Sequence, residues 1–199
     1  MRSNPRLHLL SESPEAREAP SDDYLMALAA EGRASAFTQI VARHEQSVRS
    51  LCRLLLRDES QARDHAQEVF LKAWEQRAKY QPNGKLRVWL LTLARNLCRS
   101  AARRRRVLSF LGLDEAPEAA SASAHPLEVA LEGERQTLVL AGLCKLPEKF
   151  RVPLSLRFVD GMEYDAIAEV IGRTPSAARS RIHYGLQKLE QLLPREIFQ

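Results

Sequence analysis

Gly161-Met162-Glu163-Tyr164-Asp165-Ala166-Ile167-Ala168-Glu169-Val170-Ile171-Gly172-Arg173-Thr174-Pro175 is the stretch that decides the fold. A short helix here buries Ile167, Ala168 and Ile171. Gly172 then permits the left-handed residue that closes it. Thr174 is placed to cap the next helix, and Pro175 falls at its first position, where a missing N–H costs nothing. That second helix buries Ala178, Ile182, Gly185, Leu186, Leu189 and Leu193. Its other face presents Ser176, Arg179, Ser180, His183 and Tyr184. Two helices joined by a three-residue turn, with small residues at the crossing and polar donors outside, form a DNA-reading helix-turn-helix.

On that face Arg179 is the best base-edge candidate, because a guanidinium pairs bidentately with guanine. Ser180 and Arg181 suit phosphate contacts, which position without specifying sequence. Arg173 at the turn completes the set. The plain alternative is a hairpin that only packs; Gly172, Thr174-Pro175 and the clustered donors together favour DNA.

Upstream the pattern stays helical. Pro147 and Gly161 break it, and helices begin again at Leu127 after a stretch rich in Ala, Ser, Glu and Pro, residues 108–126, which reads as a linker. Before the linker lies a second bundle. Asp22 is a plausible cap for a first helix ended by Gly32. Phe37, Ile40, Val41, His44, Val48, Leu51, Cys52 and Leu55 form one stripe at period 3.6. Asp58 caps a third helix with the stripe Ala62, Ala66, Val69, Phe70, Ala73 and Trp74. Pro82-Asn83-Gly84 is a turn. A fourth helix turns Trp89, Leu90, Leu93, Ala94 and Leu97 inward and ends in Arg103-Arg104-Arg105-Arg106. Residues 1–21 lack periodicity and are expected to be disordered. The predicted fold class is all-α: two small helical bundles on a flexible linker, residues 22–107 and 127–199.

Composition narrows the function. Among 199 residues, 30 Lys and Arg face 25 Asp and Glu, a net charge of only +5, so distribution matters more than the total. Arg95 to Arg106 holds six arginines and no acid, whereas acids prevail from Ser109 to Glu134. Such asymmetry suits one face for nucleic acid. Cys52, Cys98 and Cys144 have no metal spacing and are expected to pack as small apolar residues. No cofactor or metal is expected. No apolar run approaches the ~18 residues of a membrane span, and Leu7-His8-Leu9-Leu10 is too short for a secretory core, so the expected location is the cytoplasm without membrane insertion. The sequence has no nucleophile elbow, acid/base pair or phosphate-cradling Gly-rich loop, which points away from an enzyme.

Leu146-Pro147-Glu148-Lys149-Phe150-Arg151, then Leu156-Arg157-Phe158, then the helix-turn-helix, resembles region 4 of the sigma-70 family. The family's recognition helix opens Gly-Thr-Val-Lys-Ser-Arg; here it is Ser176-Ala177-Ala178-Arg179-Ser180-Arg181. Asp64, Gln67, Glu68, Val69, Phe70 and Trp74 resemble region 2.2, with Arg63 and His65 standing where the family has Glu and Leu. Val88 to Leu97 is similar to the family's Trp-Leu-x-x-Ile-Ala-Arg-Asn-Leu, with Ser100 in place of a later Asp.

The resemblance spans roughly 22–193, lacks an intermediate domain, and matches the extracytoplasmic-function group. It implies core RNA polymerase binding through Asp64, Gln67, Glu68 and Phe70. It implies capture of the melted −10 strand by Tyr80, Asn83, Lys85, Arg87, Arg95, Asn96, Arg99 and Arg103, and reading of −35 promoter DNA by the second bundle. It also implies an anti-sigma factor as a further partner. A helix-turn-helix repressor or activator is the alternative, as is an adaptor in which only the first bundle matters. Twenty extended linker residues reach ~70 Å, and elements two DNA turns apart lie ~70 Å apart, so simultaneous contact is feasible.

Overall fold

The structure, a computed structural model, describes residues 19–111 and 134–193. All regular elements among them are helical: α1 (Asp22–Ala30), α2 (Ala34–Leu56), α3 (Glu59–Glu75), a 3-10 turn (Arg77–Lys79), α4 (Leu86–Phe110), α5 (Glu134–Lys145), α6 (Glu148–Phe158), α7 (Tyr164–Ile171) and α8 (Pro175–Leu192).

The first bundle packs α1 to α4. Its apolar stripes meet as the periodicity predicts: Ile40, Val48, Leu51 and Cys52 of α2, Ala62, Ala66 and Val69 of α3, and Leu90 and Ala94 of α4 are all buried. Asp58 caps α3, its Oδ1 accepting from the Gln61 N–H at 3.0 Å. The start of α1 differs from expectation. Ser21, not Asp22, is the cap, accepting from the Tyr24 N–H at 3.2 Å. Asp22 sits in the first turn, where a carboxylate suits the helix dipole. It accepts from Arg43 Nη1 at 2.9 Å and His44 Nε2 at 2.7 Å. Pro20 O accepts from the same Arg43 at 2.7 Å. Pro20 and Ser21 therefore belong to the bundle, two residues earlier than composition suggested; residues 1–18 lie outside the described residues.

Helix α4 also exceeds its expected end. It continues through the arginine run to Phe110, because nothing before Leu111 disfavours helix. The expected linker thus begins inside a helix, and the rest of it, like the predicted restart at Leu127, lies outside the described residues.

The second bundle packs α6, α7 and α8 around Leu154, Leu156, Ile167 and Ile182, each at most 3% exposed. Pro153 sits inside α6 without ending it. Gly185 lets α8 lie against α6: a Cβ there would meet Leu154 Cδ1 at 2.9 Å and Phe150 Cβ at 3.3 Å. Leu186, expected inward, is 42% exposed. The buried row is Ala178, Ile182, Gly185 and Leu189, and Leu186 lies one residue round the helix from it. Cys52 and Cys98 are buried as expected, but Cys144 is exposed. It falls on the outer side of the last turn of α5, whose inward positions are Leu143 and, just beyond, Leu146.

The two bundles pack against one another, α4 on α7 and α2 on α6. Polar contacts span the seam. Arg151, only 3% exposed, donates to Leu54 O at the end of α2 at 2.6 Å, and its Nε finds no acceptor among the described residues.

Candidate nucleic-acid and polymerase interfaces

The helix-turn-helix closes as its chemistry dictates. Gly172 ends α7 at φ 62°, in the left-handed region. Thr174 Oγ1 accepts from the Ala177 N–H at 3.2 Å, and Pro175 opens α8. Arg173, Ser176, Arg179, Ser180, His183 and Tyr184 are all exposed. Arg181 is half-buried and turned toward the seam, so it stands apart from the set. Burial lowers its pKa, with Arg173 and Arg99 adding to the effect. Arg179 is steadied by an aromatic that the sequence reading missed: its guanidinium lies 5.3 Å from the centre of the Tyr164 ring. Arg157 lies 4.8 Å from that ring. Cation–π contact of this kind pre-orients a side chain. Nothing local in the sequence links position 164 to position 179; only the crossing of α7 and α8 does.

The second surface is a groove beside α4, of about 460 Å³, walled by Tyr80, Asn83, Lys85, Trp89 and Thr92 and closed on one side by Glu169 of α7. Asp23 of α1 pins the Tyr80–Gly84 segment that forms one wall. It accepts from Tyr80 OH at 2.6 Å and from the Gly84 N–H at 2.7 Å. Burial, with the Asp23 carboxylate beside it, pushes the Tyr80 hydroxyl well above its usual pKa. Tyr80 therefore stays a neutral donor, fixed to Asp23, with its ring 5.4 Å from that of Trp89. Asp23 was not anticipated, since an acid in a first turn reads as a dipole partner. Trp89 is half-buried and walls the groove besides packing on the core.

The remaining cations expected near this groove divide. Asn96, Arg99 and Arg103 are exposed along α4. Arg87 and Arg95 point into the seam. Arg87 donates to Asp160 Oδ1 at 2.5 Å, Asp160 O at 2.9 Å and Ser47 Oγ at 3.1 Å. Burial raises the Asp160 pKa in spite of the opposing pull of Arg87 and Ser47, so the pair fixes geometry more than it adds stability. Lys85 Nζ, at the groove mouth, meets Glu169 Oε1 at 2.5 Å. The Arg95 guanidinium abuts the helix-turn-helix, 3.2 Å from where a Cβ on Gly172 would stand. Burial, then Arg99, Arg173 and Arg181, lower its pKa, while Glu148 opposes them. Glu148 lies 3.8 Å from Arg99.

The third surface is on α3. Asp64, Gln67 and Glu68 are exposed at one helical face. Phe70 is 7% exposed; it belongs to the core of the bundle and offers no face to a partner. Leu71, on the same stripe as Asp64, is 65% exposed and was not singled out in the sequence. His65 Nδ1 donates back to Gln61 O at 2.9 Å, so its ring is partly occupied within the helix.

Comparison with known proteins identifies the family. Residues 40–107 match the family model for sigma-70 region 2, and residues 136–189 match that for sigma-70 region 4. The RNA polymerase sigma factor CarQ of Myxococcus xanthus is 30% identical over 164 residues, covering 82% of this chain and 92% of CarQ. The ECF RNA polymerase sigma factor SigW of Bacillus subtilis is 25% identical over 170 residues, covering 81% of this chain and 91% of SigW. The solved structure of CnrH in complex with the cytosolic domain of CnrY superposes with a TM-score of 0.64 at 27% identity, covering 87% of this chain and 97% of that one. The chain therefore belongs to the sigma-70 family of RNA polymerase sigma factors, in its extracytoplasmic-function group.

Proposed function

We propose that this sigma factor divides promoter recognition between its bundles, without catalysis of its own. The α3 face of Asp64, Gln67 and Glu68 docks on core polymerase. The groove of Tyr80, Asn83 and Lys85 takes an unstacked base of the melted −10 strand, with Asn96, Arg99 and Arg103 following the phosphates and Arg87 and Arg95 joining them once they leave the seam. The exposed side of α8 reads the −35 duplex, Arg179 at base edges and Arg173, Ser176 and Ser180 at phosphates, with His183 and Tyr184 beside them. Arg181 serves the backbone only once it leaves the seam.

The observation that carries this reading is the capped, exposed α8 face standing beside a neutral-donor groove on a separate bundle of the same chain. A lone helix-turn-helix regulator needs no such groove. The site of action is the cytoplasm, where polymerase is found; no described helix is long and apolar enough to cross a membrane. Control by an anti-sigma factor is part of the proposal, supported by the solved complex of CnrH with CnrY.

The test is pull-down of purified core polymerase by the full chain and by the double variant Asp64→Ala/Gln67→Ala. The variant is expected to lose retention while keeping its helical spectrum. Undiminished retention would remove the α3 assignment.

A further inference from the structure

The loop that carries the groove has little of its own to hold it in place. Gln81, Pro82, Asn83, Gly84 and Lys85 are all exposed, so no buried side chain fixes the stretch between half-buried Tyr80 and buried Leu86. Gly84 also lies at φ 70°, in the left-handed region. Such a stretch samples many conformers unless polar ties hold it. Here the ties converge on one carboxylate. Asp23 Oδ1 accepts from the Tyr80 hydroxyl at 2.6 Å, and Asp23 Oδ2 accepts from the Gly84 N–H at 2.7 Å. The two ends of the loop are thus stapled to a single side chain. Within the loop, Asn83 Oδ1 accepts from the Lys85 N–H at 3.1 Å, which leaves the Asn83 amide N–H groups for the groove.

The helix behind the staple is firmly seated. Leu25, Met26 and Ala29 of α1 are each at most 1% exposed. Asp22 ties α1 to α2 through Arg43 and His44. Arg77 Nε donates to Ala29 O at 3.0 Å, and its guanidinium lies over the Trp74 ring, 4.0 Å from the centre. Helix α1 therefore also holds the 3-10 turn that leads into the loop. The two neighbouring acids divide the work: Asp22 faces α2, and Asp23 faces the loop. All of these contacts lie inside the first bundle and owe nothing to the seam.

We propose that Asp23 is a positioning residue for base selection, holding Tyr80 and the Gly84 turn so that Asn83 and Lys85 meet one unstacked base in a fixed geometry. Asp23 does not touch the strand itself. The proposal rests on the −10 reading of the groove given above and deepens it. Hydrogen bonds to a carboxylate are stronger than neutral ones, and a loop without a buried side chain keeps its shape through them. Without Asp23 the groove presents the same side chains across many conformers. Discrimination between bases then falls, while attraction to phosphates, carried by Arg99 and Arg103, remains.

The test uses core polymerase loaded with the full chain, and DNA with a pre-opened bubble one helical turn long whose non-template strand is randomised. Retained DNA is sequenced. The parent is expected to enrich one base about tenfold at one bubble position, and Asp23→Ala to lower that enrichment to about twofold or less at undiminished retention. Asp23→Asn keeps the side-chain shape and one acceptor, and recovers part of the enrichment. Asp22→Ala is the control: it lowers the urea midpoint yet keeps the parent's base preference. In the free chain, amide exchange at Gly84 accelerates about tenfold in Asp23→Ala and stays slow in Asp22→Ala.

Parent-like base preference in an Asp23→Ala chain that keeps its circular dichroism overturns the proposal. So does an equal loss of preference in Asp22→Ala, which would make the effect one of bundle stability. Unchanged exchange at Gly84 removes the staple itself. If Asp23→Ala unfolds the chain, Asp23→Asn decides alone, with undiminished enrichment as the contrary result. A parent that enriches no base anywhere in the bubble would instead sink the −10 reading of the groove, and base selection through Asp23 with it.

Discussion

Two glycines inside helices give opposite answers to the same substitution. Gly142 in α5 and Gly185 in α8 each have a closest neighbour at 2.9 Å from where a Cβ would stand. Each would gain roughly 1 kcal/mol in helix propensity on becoming alanine. They differ in what must move. At Gly142 the close neighbours are terminal methyls of Leu189 and Leu193; Leu193 is half-buried at the edge of the bundle and can swing aside, and Leu189, near the end of α8, is 8% exposed and offers only the far end of its side chain. At Gly185 they are Leu154 Cδ1 at 2.9 Å, Leu154 Cγ at 3.2 Å and Phe150 Cβ at 3.3 Å. Leu154 is 1% exposed and cannot yield, and the Phe150 Cβ moves only with its helix. Overpacking of this kind costs about 1–3 kcal/mol. Gly142→Ala is therefore expected to stabilise by roughly 0.5 kcal/mol or more, and Gly185→Ala to destabilise by about 1 kcal/mol net. Urea unfolding followed by far-ultraviolet circular dichroism measures both as shifts of midpoint at constant slope. Gly185→Ala stabilising the chain as much as Gly142→Ala does would refute the tight α6–α8 crossing.

Three further outcomes follow from the described contacts. Thr174→Ala removes the oxygen that satisfies the Ala177 N–H; it is expected to cost about 1 kcal/mol and to weaken binding of −35 duplex, with Thr174→Ser retaining most of both. Arg179→Ala is expected to relax discrimination at one base pair by about 1–3 kcal/mol, whereas Arg103→Ala should weaken binding evenly across sequences and reduce its salt dependence; a matrix of single-base promoter variants separates the two. Asp22 supplies the pH test. Burial alone would raise its carboxyl, but hydrogen bonds from Arg43 and His44, and their charges, pull it below the ordinary aspartate value of 3.8. A lowered folded pKa means that its contribution is present above 3.8 and lost as pH falls through the depressed value. Asp22→Asn should flatten the acid limb of a urea-midpoint profile, and an unaltered limb would contradict the Asp22 cluster.

Much of the fold was legible because period 3.6 and a few caps dominate it. The stripe from Phe37 to Cys52, the cap at Asp58 and the Gly172–Thr174–Pro175 turn were each readable from short-range chemistry alone. What stayed hidden depends on which elements meet. Ser21 rather than Asp22 caps α1 because Asp22 is drawn to Arg43 and His44, more than twenty residues away. Asp23 reads as an ordinary first-turn acid until the loop at Gly84 folds over it. Tyr164 is tied to Arg179 only through the helix crossing. Phe70 carried a family motif and so looked like a contact, yet its position in the α3 stripe turns it to the core. The largest gap concerns Arg87 and Arg95. Sequence assigns them to DNA by charge, and only the packing of two bundles reveals that acids and a helix end of the same chain engage them first.

Run-off transcription with purified core polymerase on a library of genomic promoter fragments tests the central claim most directly. The account predicts discrete transcripts that require both this protein and core enzyme, that vanish with Asp64→Ala/Gln67→Ala and that change promoter preference with Arg179→Ala. Absence of any transcript dependent on the protein, together with tight duplex binding that needs no polymerase, would contradict it.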